Sequence, residues 1–316
     1  MKKIIILLGP TGVGKTEASI LLARRLDTEI ISSDSMQIYR HMDIGTAKPS
    51  QKELQAVRHH MIDIVEPWES YSTGQYVGQV RPIISGLHNR DKVPLVVGGT
   101  GLYIKAMTRG LFSGPSADWD LRNVLLEREK QDPGVLYAQL SAIDPDAALG
   151  ITPADTRRVV RALEVCLKSD TAISQLRKYM TEPLPYEFIR IGLMRDRAEL
   201  YRMIEDRVEV MFKEGLIEEV KSVLDLMKSA GKTTGRPVIP YPSMQAIGYK
   251  ETALYLSGDL SLEDTVRLIK QRSRNYAKRQ FTWFRKEEGI KWIDITGVFD
   301  AEKISEKTIK ALAPEL

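Results

Sequence analysis

From Gly9 to Thr16 the chain reads Gly-Pro-Thr-Gly-Val-Gly-Lys-Thr, which fits the spacing G-x-x-x-x-G-K-[ST]. Fixed glycines let successive backbone N–H groups turn inward on an anion, the lysine adds a mobile positive charge, and the hydroxyl can face a Mg²⁺ ion. Such a loop needs a strand before it and a helix after it. Ile4 to Leu8 is an apolar run of buried parallel-strand type, and Ala18, Leu21, Leu22 and Leu26 recur at helical spacing. The helix N-terminus would add its own attraction for negative charge. Gly9, Pro10, Thr11, Gly12, Val13, Gly14, Lys15 and Thr16 are therefore the candidate phosphate loop, with Lys15 reaching the distal phosphate and Thr16 as the metal ligand. The loop alone does not say whether its phosphate is hydrolysed, passed on or released.

Two further segments should arrive beside it, because ligands of an open α/β sheet sit beyond the C-terminal ends of the strands. One is "SSDSMQIYRHMDIGTAKP", with Asp34 just past a short strand; the other is "VVGGTGLY", a Gly98-Gly99-Thr100-Gly101 turn into a helix. Asp34 could hold Mg²⁺ or act as a general base. As a plain structural residue it would form an Asx-turn or a helix cap. Motor ATPases end the strand that corresponds to "VPLVV" in a Mg²⁺-binding Asp. Here that strand ends in glycine and threonine, which argues for a transferase of the nucleotide-kinase type.

At 316 residues the chain can hold one sizeable core and an additional subdomain. No apolar stretch approaches the ~20 residues that span a bilayer. One cysteine, Cys166, excludes an internal disulfide and fits a cytoplasmic protein; with His41, His59, His60 and His88 scattered, no zinc site is expected. The net charge is only +4, but "VRLIKQRSRNYAKRQFTWFRK", Val266 to Lys286, carries eight Lys/Arg and no acid. Arg267, Lys270, Arg274 and Lys278 share a helical spacing, with Tyr276, Phe281, Trp283 and Phe284 nearby. That is the footprint of a helix that meets a polyanion, unless its basic face pairs with acids elsewhere in the chain.

Candidate strands at 3–8, 29–32, 60–65, 93–97, 188–194 and 291–295 alternate with helical patterns, which predicts a parallel sheet flanked by helices. Helix-like segments at 122–130, 134–143 and 154–168 lie in a stretch without strand signals. The expected fold is α/β: a P-loop NTPase-like core over 1–111 and 187–316, the second part carrying basic C-terminal helices, with a helical insertion over 112–186.

Six motifs then leave the generic behind: "GPTGVGKT", "SSDSMQIYRHMDIGTAKP", "GGTGLYIKA", "RRVVRALEV", "MQAIGYKE" and "AKRQFTWFR". In order and spacing the chain resembles the tRNA dimethylallyltransferase (tRNA isopentenyl transferase) family, bacterial type, from Lys2 to about Ile295. The resemblance implies transfer of a dimethylallyl group from dimethylallyl diphosphate to N6 of the adenosine 3′ of the anticodon, with diphosphate leaving. It implies Mg²⁺ as cofactor, and the tRNA anticodon stem-loop and dimethylallyl diphosphate as partners, with no membrane and no obligate protein partner; a monomer is expected. By the same resemblance Asp34 is the base, and Lys15, Thr16 and Arg207 act on the diphosphate. Asp34, Ser35, Met36, Gln37, Thr100, Arg122, Arg157, Arg158, Arg161, Lys278, Arg279, Gln280 and Arg285 would contact tRNA. Family members often read Y-x-R-I where this chain has Met203; Arg202 beside it would point about 100° away on a helix.

Two other readings stand beside this one. An isopentenyl transferase or kinase acting on a free nucleotide would share the loop and Asp34 but would not need the basic helix. A silent RNA-binding module would not need Gly14, Lys15, Thr16 and Asp34 intact.

Overall fold

The computed structural model describes residues 1–112, 114–179, 182–232 and 241–315. They form two compact units, Met1–Ile104 with Pro185–Leu316, and Lys105–Leu184.

In the first unit the apolar runs become a six-stranded sheet: β1 (Lys3–Leu8), β2 (Ile30–Ser33), β3 (His59–His60), β4 (Leu95–Gly98), β5 (Glu187–Met194) and β6 (Ile290–Asp294). Their order is β3-β2-β4-β1-β5-β6 and every pairing is parallel. β1 has no alternation because both of its faces are covered: Ile4, Ile5, Ile6, Leu7 and Leu8 are all fully buried. It pairs Leu8 with Gly98 on one side and with Gly192 on the other. The loop after β1 thus leaves the sheet centre, with the ends of β4 and β5 beside it.

β3 is shorter than the 60–65 expected. Met61 and Asp63 take left-handed backbone, with φ of 66° and 54°, so the extended run cannot continue. Only an isolated parallel bridge, Tyr39 to Val65, carries the pairing further.

Two apolar clusters complete this unit. One joins the strands to Ala18, Leu22, Ile204, Ala277 and Ile304 from the covering helices. The other packs Ile38, Tyr39 and Met42 against Val208, Met211, Leu216, Tyr249 and Ile269. The latter residues come from the helices Arg197–Lys213, Leu216–Ser229, Tyr249–Leu256 and Leu262–Phe284.

The second unit is helical, with helices Trp119–Gln131, Val135–Ile143, Pro145–Leu149, Thr156–Ser169 and Ile173–Tyr179 around Leu136, Leu140, Val159 and Leu163. Asp118, Asp144 and Asp155 each cap a helix by accepting a backbone N–H of its first turn. Two short helices, 145–149 and 173–179, are additional to the three read from periodicity. Among the described residues no helix is long and apolar enough to cross a membrane.

Candidate active site at the phosphate loop

Gly12 and Gly14 hold the loop in left-handed backbone, with φ of 81° and 103°; Gly14 caps the helix Lys15–Arg25 without a side-chain hydrogen bond. The first N–H groups of that helix are left for an anion. Lys15 folds back over the loop, donating from Nζ to the carbonyls of Gly9 and Pro10, each at 2.9 Å. Burial pushes its pKa down to about 8, with Asp34 opposing and Arg207 reinforcing the shift. Arg207, from the helix Arg197–Lys213, donates Nη2 to Thr11 Oγ1 at 2.7 Å. Its Nε is buried with no hydrogen-bond partner. A guanidinium edge beside a phosphate loop has the charge and geometry to bind an anion.

The base of the loop rests on a second arginine, which lies just past β5. Arg195 is 7% exposed; its Nε donates to Val13 O, Nη1 to Ile295 O and to Glu199, and Nη2 to Val298 O. Nothing in the motif spacing singled it out.

Asp34 follows β2. Its Oδ1 accepts Met36 N–H at 2.8 Å and Gln37 N–H at 3.3 Å, so it does form an Asx-turn. That leaves Oδ2 without a hydrogen bond among the described residues. The Gly-rich turn after β4 fits tightly against this segment. Thr100 donates its N–H to Ser33 O and accepts Ser35 N–H on its hydroxyl. A Cβ at Gly98 would lie 2.3 Å from Ser33 O, so only glycine allows the two strand ends to approach this closely.

Gln280 joins the turn to the phosphate loop. Its Oε1 accepts Thr11 N–H at 2.8 Å and its Nε2 donates to Gly99 O at 2.9 Å. It is 6% exposed. Gln280, expected at the RNA, has its amide engaged by the protein and holds two loops together. Tyr276, one helical turn earlier, lies between Thr100 and Gln280, and burial, with the Asp34 charge added, raises its phenol pKa.

Thr11, Asp34, Ser35, Met36, Arg207 and Tyr276 line one cavity of about 280 Å³. The rest of its wall is largely apolar, with Val208, Met211, Ala246, Ile247 and Ile269, and includes Gly45, Thr46 and Ala47. A site lined by both anion-binding groups and hydrocarbon suits a phosphorylated apolar molecule.

Comparison with known proteins agrees with this geometry. Residues 37–287 match the model of IPP transferases, and residues 2–66 that of isopentenyl transferases. The chain is 55% identical to the tRNA dimethylallyltransferase of Thermodesulfovibrio yellowstonii over 99% of this chain and 98% of that one. It is 44% identical to that of Bacillus subtilis over 99% and 97%. The chain belongs to the tRNA dimethylallyltransferase family. The full-length tRNA isopentenylpyrophosphate transferase of Bacillus halodurans superposes with a TM-score of 0.72 at 40% identity, over 99% of this chain and 96% of that one. A eukaryotic dimethylallyltransferase solved acting on tRNA gives 0.85 at 30% identity, over all of this chain and 79% of that one. The sheet and its phosphate loop are thus those of the family's P-loop NTPase-like core.

Within the family frame, the basic helix Leu262–Phe284 divides into two halves. Arg267 pairs with Asp264, Lys270 with Glu209, Arg272 with Glu251 and Arg274 with Glu205. Lys278, Arg279, Arg285 and Lys286 have no acidic partner among the described residues. Arg279 lies over Tyr276 and Arg285 over Phe281, at 5.8 and 4.3 Å from the ring centroids. Lys278, Arg279, Trp283 and Lys286 line a groove of about 460 Å³. Of these four cations, Arg279 also lines the cavity at the phosphate loop.

Gln37, like Gln280, is already engaged: its Oε1 accepts Ser32 Oγ–H and its Nε2 donates to Ala47 O. In the helical unit Arg122 makes a bidentate pair with the fully buried Glu164, at 2.9 and 2.8 Å. Arg161 bonds the same carboxylate and Pro115 O. Arg157 and Arg158 are exposed. At the position of the family's frequent arginine, Met203 is half-buried, and Arg202 is exposed.

Proposed function

We propose that this protein transfers the dimethylallyl group of dimethylallyl diphosphate to N6 of the adenosine immediately 3′ of the anticodon in tRNA. The observation that carries the reading is the cavity, where Thr11, Arg207 and Asp34 share the lining with Val208, Met211 and Ile269. A kinase acting on a free nucleotide would have no use for that apolar lining, nor for four cations without an acidic partner among the described residues at the adjoining helix end.

The chemistry follows from the two kinds of group that line the cavity. The allylic C–O bond breaks with its electrons going to the diphosphate oxygen, and the adenine N6 forms the new bond to carbon. Loop N–H groups, Lys15 and Arg207 stabilise the growing negative charge. The N6 proton goes to Asp34, whose free Oδ2 is the available acceptor; an exocyclic amine conjugated with its ring is a poor nucleophile until that proton is drawn off. Holding N6 in line with the allylic carbon supplies the rest.

Mg²⁺ suits the donor set. Among the described residues no three His, Cys, Asp or Glu side chains gather to hold a metal, which excludes a protein-only cage but fits an ion shared with diphosphate. Mg²⁺ typically takes one or two protein oxygens and completes its shell with phosphate and water. The hydroxyl of Thr16, in the first turn of Lys15–Arg25 and without a hydrogen bond among the described residues, would hold it. When bound, the ion would neutralise diphosphate charge. A tRNA substrate supports a cytoplasmic location.

The deciding experiment offers unmodified tRNA, Mg²⁺ and purified protein either dimethylallyl diphosphate or ATP, and reads the nucleosides by mass spectrometry. Adenosine gaining one dimethylallyl group, only with the allylic diphosphate, is the expected result. Transfer to free AMP, or phosphate release from ATP, would overturn it.

The lowered pKa of Lys15 has a sign that can be tested. Only the protonated lysine attracts the diphosphate, so the contribution of Lys15 to affinity for inorganic diphosphate, at a given charge of the anion, should be full below pH 8 and weaken as pH rises through it. The decline should approach about tenfold per pH unit above the pKa. Calorimetric titration at pH 7, 8 and 9 reads this directly, and a flat profile would remove Lys15 from the contact. The divided basic helix predicts an asymmetry. Arg279→Ala should weaken tRNA binding and lower the salt slope by about 1, as loss of one phosphate contact does. Arg274→Ala, which removes a cation already neutralised by Glu205, should leave the slope unchanged. Equal slopes for the two variants would reject the division.

A further inference from the structure

Gly45, Thr46 and Ala47, a loop segment, line the cavity together with Val208, Met211 and Ile269. Loop backbone is ordinarily the most compliant part of a site, but this strap is pinned from behind. The carboxylate of Glu219, on the helix Leu216–Ser229, accepts three successive N–H groups: Asp43 and Ile44 on Oε2, both at 2.8 Å, and Gly45 on Oε1 at 3.1 Å. Its Oε1 also accepts the Tyr249 hydroxyl. Charge-assisted bonds of this kind are about twice as strong as neutral ones, and here four converge on one anion. Tyr249 also supports the strap with its ring. A Cβ at Gly45 would lie 2.4 Å from Tyr249 Cε2 and 3.0 Å from Leu216 Cδ1, so the Gly45 backbone sits directly on these side chains.

The far end of the strap is pinned separately. The Lys48 side chain is 3% exposed, and its Nζ donates to Tyr39 O, Asp43 Oδ1 and Asp63 Oδ1. Ala47 takes left-handed backbone, with φ of 51°, and its carbonyl accepts Gln37 Nε2. Neither Glu219 nor Tyr249 lines the cavity. They act on it only through the segment they hold.

We infer that Glu219, with Tyr249 behind it, is a positioning residue that fixes the width of the prenyl cavity and thereby the length of hydrocarbon chain the donor can carry. The inference rests on the functional reading above, in which the apolar lining receives the group to be transferred. A fixed strap leaves no room to accommodate a longer chain by retreat, and a hydrocarbon pocket otherwise discriminates weakly, by about 10- to 200-fold per methylene. Selectivity between five and ten carbons therefore depends on whether the wall yields.

The test compares kcat/KM for dimethylallyl and geranyl diphosphate, with tRNA saturating, in wild type and three variants. Glu219→Gln turns an acceptor into an NH₂ group that faces backbone N–H donors; Tyr249→Phe removes one hydroxyl; Gly45→Ala forces the strap off the Tyr249 ring, toward the cavity. Glu219→Gln should lower the five-over-ten-carbon preference about tenfold, with KM for the short donor rising more than kcat falls. Tyr249→Phe should move the same way by less. Gly45→Ala should raise KM for the short donor without admitting the long one. A merely structural role would lower melting temperature in all three and leave the preference untouched. Glu219→Gln and Tyr249→Phe folding with wild-type preference would overturn the inference alone. Absence of transfer from dimethylallyl diphosphate in the wild type would overturn the functional reading, and this inference with it. Should Glu219→Gln not fold, Tyr249→Phe carries the test.

Discussion

Asp34→Asn is expected to lower the single-turnover rate of transfer about 10³-fold, the middle of the range for a lost general base, while tRNA affinity and melting temperature stay near wild type. The isosteric change is the informative one because the Asp34 side chain has two separable jobs. Its Oδ1 shapes the turn by accepting Met36 and Gln37 N–H, and an asparagine oxygen can do the same. What asparagine cannot do is take up a proton or carry the negative charge set against Lys15 and Arg207. Asp34→Ala should lose both functions, with weaker tRNA binding added to the lost rate. Retention of more than roughly a tenth of wild-type turnover by Asp34→Asn would assign the base elsewhere, since positioned bases contribute at least about 10²-fold.

Arg195→Met is expected to destabilise the fold by about 3–5 kcal/mol, the cost of removing one partner from a buried ion pair. The loss is large because so much is left behind. Glu199 would keep only its bond to Gly297 N–H, and the carbonyls of Val13, Ile295 and Val298 would lose a charged donor. Val13 lies inside the phosphate loop, so stability and substrate binding should fall together: a lower urea midpoint, and a raised KM for dimethylallyl diphosphate. Pairing the change with Glu199→Leu should restore part of the midpoint and little of the KM. An unchanged midpoint in Arg195→Met would mean that the loop is held by other contacts.

The phosphate loop was legible because everything it needs is local. Strand, glycines, lysine and helix follow one another within 25 residues, and the apolar run of β1 carries its own burial signal. Asp34 was legible as a position just past a strand, and its Asx-turn was one of two readings its residue type allowed. The basic helix was half legible. Charge counting found it, but no linear pattern indicated that Glu205, Glu209 and Glu251 would neutralise its first half, since those acids come from two other helices, Arg197–Lys213 and Tyr249–Leu256. Gln280 shows the same limit. It sits among cations in sequence, yet its partners, Thr11 and Gly99, lie 269 and 181 residues away and meet it only through the tertiary fold. Arg195 and Glu219 belong to the same class: ordinary charged residues on ordinary elements, made important by what the fold brings to them. The third strand failed for a local reason, because nothing in its side chains announced left-handed backbone at Met61 and Asp63.

The lysine folded over its own loop bears on how the catalytic cycle ends. Lys15 satisfies the carbonyls of Gly9 and Pro10, so to engage a diphosphate the lysine must exchange partners with its own loop. Exchange of this kind yields only the difference between two sets of bonds. A fully vacant cradle would hold its by-product as firmly as its transition state and would stall after one round. One that can close on itself has somewhere to return to, and the spent anion can be let go.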